Sequence, residues 1–400
     1  FRRVTATQIL LVLPGTRLQE PAGIAVTRLA ATDDPHDNSD DDEVTIVAVD
    51  GGAGRIFTNF GLAKLGTWDG EGSEVGRLRA PSDVAIDRGG TVAVTDTGNR
   101  RVVLLRHDGA SLGEERAVTG FAEPIGIAAD GAGGFYVCDR TRGTVTRLDA
   151  ETGARVPFGL ETGFDRPVHV AAVPEGDDLA RGKEPAVVVV DRDGQRVRSF
   201  DSSGVLRASL DSGSLASPNA RFGAVEIDYY GNVYALDRTA DRLHKLRDDL
   251  VHLDTFGRDG TNPGEFRGPR GIAIHRRLGQ VFITEEDGGQ YLWVGTDVRG
   301  FRADPRPGAV DFSFTLTEHS QVTMRILDAQ GREVAVVVPE RRVACGPQHG
   351  VWEGRTTDGR PAPPGRYLAE IRARATYSSG SRFEKKLLEP FTLAPASEPR

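Results

Sequence analysis

Short apolar strands alternate with polar turns along the first three quarters of the chain, and one phrase recurs. The stretch PIGIAADGAGGFYVCDR, which begins at Pro124, contains an apolar strand, a glycine-rich turn, a second apolar strand and an acid. Similar phrases begin at Pro21, Pro81, Arg166, Gly223 and Pro269. Six copies of one strand–turn–strand unit predict six antiparallel sheets in an all-β fold.

The second strand of every copy ends in an acid. These acids are Asp50, Asp96, Asp139, Asp191, Asp237 and Glu285. Five residues further on, four of the copies have an arginine, namely Arg55, Arg101, Arg196 and Arg242. Because the same arrangement recurs in each copy, we interpret it as structural: the acid accepts backbone N–H groups in the turn and pairs with the arginine.

A single unit of this kind cannot bury both of its faces, whereas a closed ring of units can. The phrase P-x-GIAxD…GxxYVxD…RV resembles the NHL repeat, and Gly257–Ile274 is similar to the linker between NHL repeats. The resemblance implies a six-bladed β-propeller over residues 1–298. The last copy stops one strand short, so we expect the N-terminal stretch TATQILLVLPG to supply the missing outer strand and close the ring.

The repeat ends after Val298, and a second domain follows. The stretch RGFRADPRPGAV predicts a linker over 299–307, alternating strands predict a β-sandwich over 308–396, and 397–400 form a tail. The sequence VWEGRTTDGRPAPPGRYLAEIR resembles the Ig-like domain of bacterial flagellar hook-capping proteins. The Trp-acid-Gly and Pro-x-Gly-x-Tyr elements of that family fall at Trp352–Gly354 and Pro364–Tyr367.

Composition narrows the choice of partner and compartment. A net charge of −8 and a pI near 5.6 argue against nucleic acid as a partner. No run of 18 apolar residues is present, which predicts no membrane span. The first residue is Phe1, which suggests either a processed N-terminus or an incomplete sequence, and a removed signal peptide is the simplest cause of processing. With the Ig-like resemblance, we expect a bacterial protein that is secreted, periplasmic or on the cell surface. Cys138 and Cys345 are predicted to be buried free thiols rather than a disulfide.

Departures from the repeat mark the candidate site. The first-strand position is Gly23, Asp83, Gly126, His169, Ala224 and Gly271 in the six copies. Asp83 and His169 are the polar exceptions, and two residues further on Glu226 replaces an alanine. We predict that these three side chains line the central channel.

Propellers that this chain resembles include metal-dependent lyases and lactonases, whose channels hold ligands from His, Asp, Asn or Glu. Only one histidine and no asparagine occupy the inner positions here, so we expect neither catalysis nor a cofactor. If the chain were an enzyme, Asp83, His169 and Glu226 would be its catalytic residues and metal ligands. A structural calcium or zinc ion in the channel is a further alternative.

Two polar insertions fall between first and second strands, and therefore on one face of the propeller. ATDDPHDNSDDDEV, over 31–44, is acidic, but it lacks the glycine and the ligand spacing of a calcium loop. VPEGDDLARGKEP, over 173–185, is equally polar. We interpret both as solvated loops.

The sequence thus favours a secreted or cell-surface scaffold without catalytic activity. We expect it to bind a protein partner, as a subunit of an extracellular or envelope assembly, and we expect no small-molecule ligand. A metal-dependent lyase or hydrolase is the first alternative. Envelope carbohydrate binding is the second, although the chain has few aromatic residues to stack on sugars.

Overall fold

A computed structural model of the chain describes residues 2–4, 18–30, 44–61, 64–108, 111–173, 186–215, 219–262, 264–276, 279–286, 288–376 and 384–395. Most of both predicted insertions, over 31–43 and 174–185, and the tail over 397–400 lie outside these residues. The chain divides into two compact units, Arg2–Leu292 and Trp293–Arg400.

The first unit consists of six four-stranded antiparallel sheets, or blades. Blade 1 is β2 (Pro21–Arg28), β3 (Val44–Asp50), β4 (Arg55–Phe60) and β5 (Lys64–Trp68). Blade 2 is β6 (Asp83–Ile86), β7 (Thr91–Asp96), β8 (Arg101–His107) and β9 (Leu112–Val118). Blade 3 is β10 (Pro124–Ala129), β11 (Gly134–Asp139), β12 (Thr144–Asp149) and β13 (Arg155–Phe158).

The remaining blades repeat this order. Blade 4 is β14 (His169–Ala172), β15 (Ala186–Asp191), β16 (Arg196–Asp201) and β17 (Leu206–Asp211). Blade 5 is β18 (Phe222–Ile227), β19 (Val233–Asp237), β20 (Arg242–Leu246) and β21 (His252–Phe256). Blade 6 is β22 (Gly271–His275), β23 (Gln280–Glu285), β24 (Gly288–Trp293) and β1 (Arg2–Val4). Two single-turn 3₁₀ helices, Thr97–Asn99 and Ser212–Ser214, accompany blades 2 and 4.

The first strands of the blades contact one another in a closed cycle, β2–β6–β10–β14–β18–β22 and back to β2. This cycle confirms the six-bladed propeller. In blade 6, β1 pairs beside β24 as the outer strand, so the N-terminus completes the last sheet. Residues 5–15, to which the sequence analysis assigned this strand, lie outside the described part of the chain.

Apolar side chains fill the spaces between neighbouring blades. Between blades 2 and 3, for example, Val102, Phe121, Phe135 and Leu148 belong to one buried cluster. Both faces of an inner blade strand are therefore covered, which explains why these strands are apolar almost throughout rather than alternating. Cys138 lies in such a strand and, as predicted, it is buried and free.

The second unit is a sandwich of two antiparallel sheets. The first sheet contains β25 (Val298–Arg306), β26 (Ala309–Leu316) and β29 (Gly346–Trp352), in the order β25–β26–β29. The second sheet contains β27 (Ser320–Asp328), β28 (Glu333–Val343), β30 (Gly365–Ala375) and β31 (Glu384–Leu393), in the order β28–β27–β30–β31. Phe312, Met324, Trp352 and Ile371 lie in its common core. Cys345 is a buried thiol and forms no disulfide with Cys138.

The predicted linker over 299–307 is wrong. Residues 298–306 form β25, which pairs with β26 from Val298↔Leu316 to Arg306↔Ala309. Phe301 is buried in the sandwich core. The proline at 305 is compatible with this strand because β25 is an edge strand, where a missing N–H costs no ladder hydrogen bond. The arginine- and proline-rich composition therefore marks a sheet edge and not a linker.

The two motif elements of the Ig-like domain meet in the sandwich core. The rings of Trp352 and Tyr367 contact edge to face, with centroids 5.5 Å apart. The Tyr367 hydroxyl donates to the Pro363 carbonyl oxygen at 2.6 Å, and the Trp352 indole N–H donates to the Arg355 carbonyl oxygen at 2.7 Å. Each polar tip thus has an acceptor while its ring is buried.

Candidate functional site

The first strands of the blades carry the candidate residues, and glycines on neighbouring strands leave room for them. A Cβ atom on Gly23 would lie 2.1 Å from Oδ1 of Asp83. A Cβ atom on Gly126 would lie 2.6 Å from Cα of His169. The glycines at this position are therefore required by the close approach of the adjacent inner strand.

Asp83 joins blades 2 and 3. Its Oδ1 accepts the N–H of Val84 at 2.9 Å, and its Oδ2 accepts the N–H of Ile127 at 2.9 Å. The residue is 3% exposed. Both carboxylate oxygens are thus used by the backbone of the inner strands.

His169 joins this group to blades 4 and 5. Its Nδ1 accepts the N–H of Val225 at 3.3 Å, and its Nε2 lies 3.3 Å from Oδ2 of Asp83. A ring nitrogen can accept a hydrogen bond only when it carries no proton, so the neutral ring has its hydrogen on Nε2, facing Asp83.

Burial dominates the protonation of this pair. It raises the pKa of Asp83 to about 7, against the lowering effect of the two backbone N–H groups and of the Arg238 charge. It lowers the pKa of His169 to about 3, and Arg238 acts in the same direction. Both shifts favour the neutral form of each side chain.

Glu226 lies on an inner strand but has a different set of partners. Its Oε1 accepts the N–H of Ile227 at 2.8 Å and lies 3.4 Å from Nη2 of Arg276. Arg276 also donates to the carbonyl oxygens of Ile227, at 3.1 Å, and Ala172, at 2.5 Å. Burial raises the pKa of Glu226, and the Arg276 charge opposes this. The structure thus brings Asp83 and His169 into contact, while Glu226 is bound by an arginine.

This donor set does not fit a metal ion. His169 offers no free lone pair, because Nδ1 is occupied by a backbone N–H and Nε2 carries the hydrogen. The guanidinium of Arg276 holds the place beside Glu226 that a cation would take. Within the described ranges, no group of three or more His, Cys, Asp or Glu side chains is arranged to bind a metal.

Sequence analysis missed Arg238. Its Nη2 donates to the carbonyl oxygens of Gly223, at 3.3 Å, and Arg270, at 2.9 Å, and its charge acts on both Asp83 and His169. It is exposed to solvent. Arg238 directly follows the repeat acid Asp237, and the residue type at this position differs among the copies. That variation is the sequence signal that could have revealed it.

The repeat acids bind the backbone that leads into the first strand of their own blade. Asp50 accepts from Gln19 and Glu20, Asp96 from Arg79, Asp139 from Ala122 and Glu123, Asp191 from Asp165, and Asp237 from Arg221, at 2.7–3.1 Å. Glu285, the acid of blade 6, accepts a hydrogen bond from the side-chain amide of Gln290. The five aspartates therefore fix the entry of the chain into blades 1 to 5.

The partner of the acid varies more than the repeat suggests. Arg101 Nε lies 2.6 Å from Asp96, and Arg196 Nη2 lies 2.5 Å from Asp191. Arg55 instead lies over the Phe57 ring at 5.7 Å.

Blade 5 also departs from the expected pairing. There His244, with Nε2 3.7 Å from Oδ2, faces Asp237, and no contact of Arg242 with Asp237 occurs among the described side chains. The expectation of an acid–arginine pair therefore needs correction for Arg55 and Arg242. In blade 5, His244 on the same strand takes the place of Arg242, whereas Asp50 accepts the backbone N–H groups of Gln19, Glu20 and Ala53.

Fold and site together define a β-propeller followed by an Ig-like sandwich. The second unit matches a known family: residues 295–377 match the FlgD Ig-like domain. No curated protein sequence matches the chain significantly. Among the described residues, no helix has the length and apolar character needed to cross a lipid bilayer.

Solved structures similar to the chain include propeller proteins. Virginiamycin B lyase from Staphylococcus aureus is 12% identical, with a TM-score of 0.46, over 72% of this chain and 97% of the lyase. A gluconolactonase from Xanthomonas campestris is 15% identical, with a TM-score of 0.48, over 69% of this chain and 86% of that protein. A luciferin-regenerating enzyme is 14% identical, with a TM-score of 0.48, over 72% and 94%. Likenesses this remote say nothing about activity.

Proposed function

We propose that this chain is an extracytoplasmic bacterial scaffold that binds a protein partner and catalyses no reaction. The observation that carries the proposal is the hydrogen bonding of Asp83 and His169. His169 has Nδ1 bound to a backbone N–H and its hydrogen directed at Asp83, and both oxygens of Asp83 accept backbone N–H groups. Side chains used in this way brace four blades, and they leave no free base or metal ligand.

The distribution of exposed apolar side chains supports a partner surface. In the described part of the propeller, the large apolar side chains that remain exposed all lie on or beside the outer strands of blades 3, 4 and 5. They are Val156, Leu160, Val205, Leu206 and Val251. We call this set the apolar rim. We assign the partner to this group of blades because no large apolar side chain is exposed in the described parts of blades 1, 2 and 6.

The Ig-like domain supports the proposed extracytoplasmic location. The matching family takes its name from FlgD, and a module of that type favours an extracytoplasmic bacterial protein. The propeller would then present the binding surface, and the Ig-like domain would act as a spacer or docking unit in an envelope assembly.

Site-specific photocrosslinking tests the proposal. The full chain carries a photoreactive phenylalanine analogue at Val156 or Val205 and is irradiated in the envelope fraction of the producing bacterium. We expect one adduct with a defined protein from both positions. The matched control has the analogue at Arg106, an exposed position on blade 2, and should give none. Equal labelling from all three positions would contradict a specific partner surface.

The enzymatic alternative has its own test. A metal-dependent lyase or hydrolase would hold a stoichiometric metal that is lost in the His169→Gln variant. Elemental analysis of the purified wild-type chain and of this variant measures that difference. A metal present in the wild type and absent from the variant would overturn the scaffold proposal.

A further inference from the structure

The sheet β28–β27–β30–β31 of the Ig-like domain carries apolar side chains on its outer face, the face turned away from the sandwich core. They cross all four strands in two neighbouring rows of the sheet, and we call them the apolar band. Its members are Val336, Leu327, Leu368, Leu388 and Pro390. Val336 is 41% exposed and Leu388 is 48% exposed. Because the solvent face of an antiparallel sheet is normally polar, a contiguous band of this kind indicates a contact surface.

The strand pattern shows that the band points away from the core. On β27, Met324 and Ile326 are buried in the core of the sandwich, whereas Arg325 and Leu327 are partly exposed. Successive side chains of a strand point to opposite faces of the sheet. Leu327 therefore lies on the outer face, and so does its cross-strand neighbour Leu368.

The charged side chains between the ends of the band are neutralised within their own chain. Arg325 lies 3.3 Å from Glu333. Glu370 lies 2.8 Å from Nε of Arg372 and 2.6 Å from Nζ of Lys386. Covering this part of the face would therefore bury no charge that lacks an oppositely charged neighbour, which is the costly case.

The order of residues across the sheet makes the face complementary to itself. A two-fold axis that runs along the strands, between β27 and β30, brings β28 opposite β31 of a second copy and β27 opposite β30. Val336 and Leu388 are the outer residues of one row, so each lies opposite the other in the second copy. In the next row, Leu327 lies opposite Leu368 of the second copy. Apolar side chains thus meet apolar side chains.

A charged pair at the far end of the face fits the same axis. Arg342 on β28 and Glu384 on β31 are the outer residues of one row, with Gln321 and Arg374 between them. Within one chain, three strand spacings, about 14 Å, separate them, so they cannot contact each other. In the two-fold arrangement each lies opposite the other in the second copy, where Glu384 has Arg372 as its second cation, at 3.8 Å.

Association through the sheet edges is disfavoured by sequence. Each of the four edge strands, β25, β28, β29 and β31, contains a proline, which cannot donate a hydrogen bond to an added strand. These residues are Pro305, Pro339, Pro347 and Pro390. A second copy would therefore meet the face of the sheet rather than one of its edges.

We infer that the chain forms a two-fold dimer through this sheet face, with the apolar band as the main contact. Four strands and residues 321–327 give a face of about 19 by 23 Å, so two faces would bury roughly 900 Å² in total. An interface at this lower end of the size range forms a weak and reversible dimer. The inference goes beyond the proposed scaffold function and does not depend on it, because it concerns the Ig-like domain and not the apolar rim.

Sedimentation velocity of the full chain over a range of concentrations tests the dimer. We expect a reversible increase of the sedimentation coefficient from the monomer value to the dimer value. Val336→Glu should weaken the dimer at least tenfold, because it places a charge opposite Leu388 of the second copy. The matched control is Val351→Glu on β29 of the other sheet, where the valine is 46% exposed, and it should leave the dimer unchanged. A wild-type chain that stays monomeric at its highest soluble concentration, or equal effects of the two variants, would overturn the inference.

A charge exchange tests the position of the axis. Arg342→Glu alone should weaken the dimer at least threefold, because it places two carboxylates opposite each other, and Glu384→Arg alone should do the same with two guanidinium groups. A mixture of these two single variants should form a mixed dimer about as tight as the wild-type one, since both facing pairs are then opposite in charge. A mixture that associates no more tightly than either variant alone would refute the two-fold arrangement.

Discussion

The Nε2 nitrogen of His169 lies 3.3 Å from Oδ2 of Asp83, although these residues begin the inner strands of two blades that are not adjacent. The same oxygen of Asp83 accepts the N–H of Ile127 from the blade between them. On its other side, His169 accepts the N–H of Val225 from blade 5. Two polar side chains thus tie together the inner strands of four consecutive blades.

The wild-type Asp83–His169 pair should contribute little pH dependence to stability between about pH 4 and pH 6.5. In this range the folded pair holds its proton on Asp83, whose pKa is raised to about 7, and not on His169, whose pKa is lowered to about 3. The unfolded pair also holds one proton, on the histidine. Because the folded and unfolded states bind the same number of protons, the effects of the raised pKa of Asp83 and the lowered pKa of His169 on stability cancel.

Single variants should expose the two opposing effects. In Asp83→Asn, His169 remains neutral by burial, so the unfolded state binds more protons and the free energy of unfolding should rise with pH from about 4 to 6.5. In His169→Gln, the folded state binds more protons at Asp83, so stability should fall over that range. Each change should be on the order of 1–3 kcal/mol. Urea unfolding at several pH values measures it, and slopes of equal sign would contradict the assignment.

Gly126→Ala should destabilise the propeller by about 1–3 kcal/mol, because the new Cβ would lie 2.6 Å from Cα of His169 and 2.9 Å from the Val168 carbonyl oxygen. Both are backbone atoms, which cannot move aside as a side chain can. Gly113→Ala is the matched control, since nothing lies within 4 Å of its Cβ position. Denaturant unfolding should show no loss for the control, and a loss equal to that of Gly126→Ala would show that the packing is not the cause.

Asp96→Ala should cost about 3–5 kcal/mol. Its carboxylate is fully buried and accepts from the Arg79 backbone, the Asn99 amide and Arg101 Nε at 2.6–2.8 Å. Removing it leaves the Arg79 N–H and the Arg101 Nε–H without an acceptor, while the Asn99 amide keeps only the Arg77 carbonyl oxygen. Asp165→Ala, at a side chain that is 60% exposed, should change the free energy of unfolding by less than about 0.5 kcal/mol. Similar losses in the two variants would refute a structural role for the repeat acid.

Tyr367→Phe should destabilise the Ig-like domain by about 1 kcal/mol, because it removes the hydrogen bond to the Pro363 carbonyl oxygen while it keeps the ring contact with Trp352. Thr392→Val, at an exposed position on the neighbouring strand β31, provides a control that removes a hydroxyl without a buried partner. Amide exchange in the second unit measures both. Unchanged exchange in Tyr367→Phe would show that water replaces the lost bond.

Repetition made much of the fold readable from the sequence. The apolar strand, the glycine turn and the terminal acid recur in each copy, so six sheets and their order could be predicted from the amino-acid sequence. The prediction of a linker over 299–307 was wrong because it relied on the arginine and proline content of this stretch. Phe301 is buried in the sandwich and Pro305 is tolerated at a sheet edge, and neither fact is visible without the partner strand.

The candidate site was predicted only in part. Asp83, His169 and Glu226 were identified as departures from a repeated position, which is a sequence signal. The sequence did not predict the distances between these three side chains. Glu226 proved to be bound to Arg276 rather than to Asp83 or His169. Arg238 was missed because its role depends on carbonyl oxygens of blades 5 and 6.

By itself, the sequence determined the number of blades, the all-β class and the positions that depart from the repeat, because strand period and turn chemistry act between near neighbours in the chain. The tertiary structure decided which departures meet and which side chain faces each acid. Those outcomes depend on ring closure, which sets distances between strands far apart in sequence, and no local pattern encodes such distances.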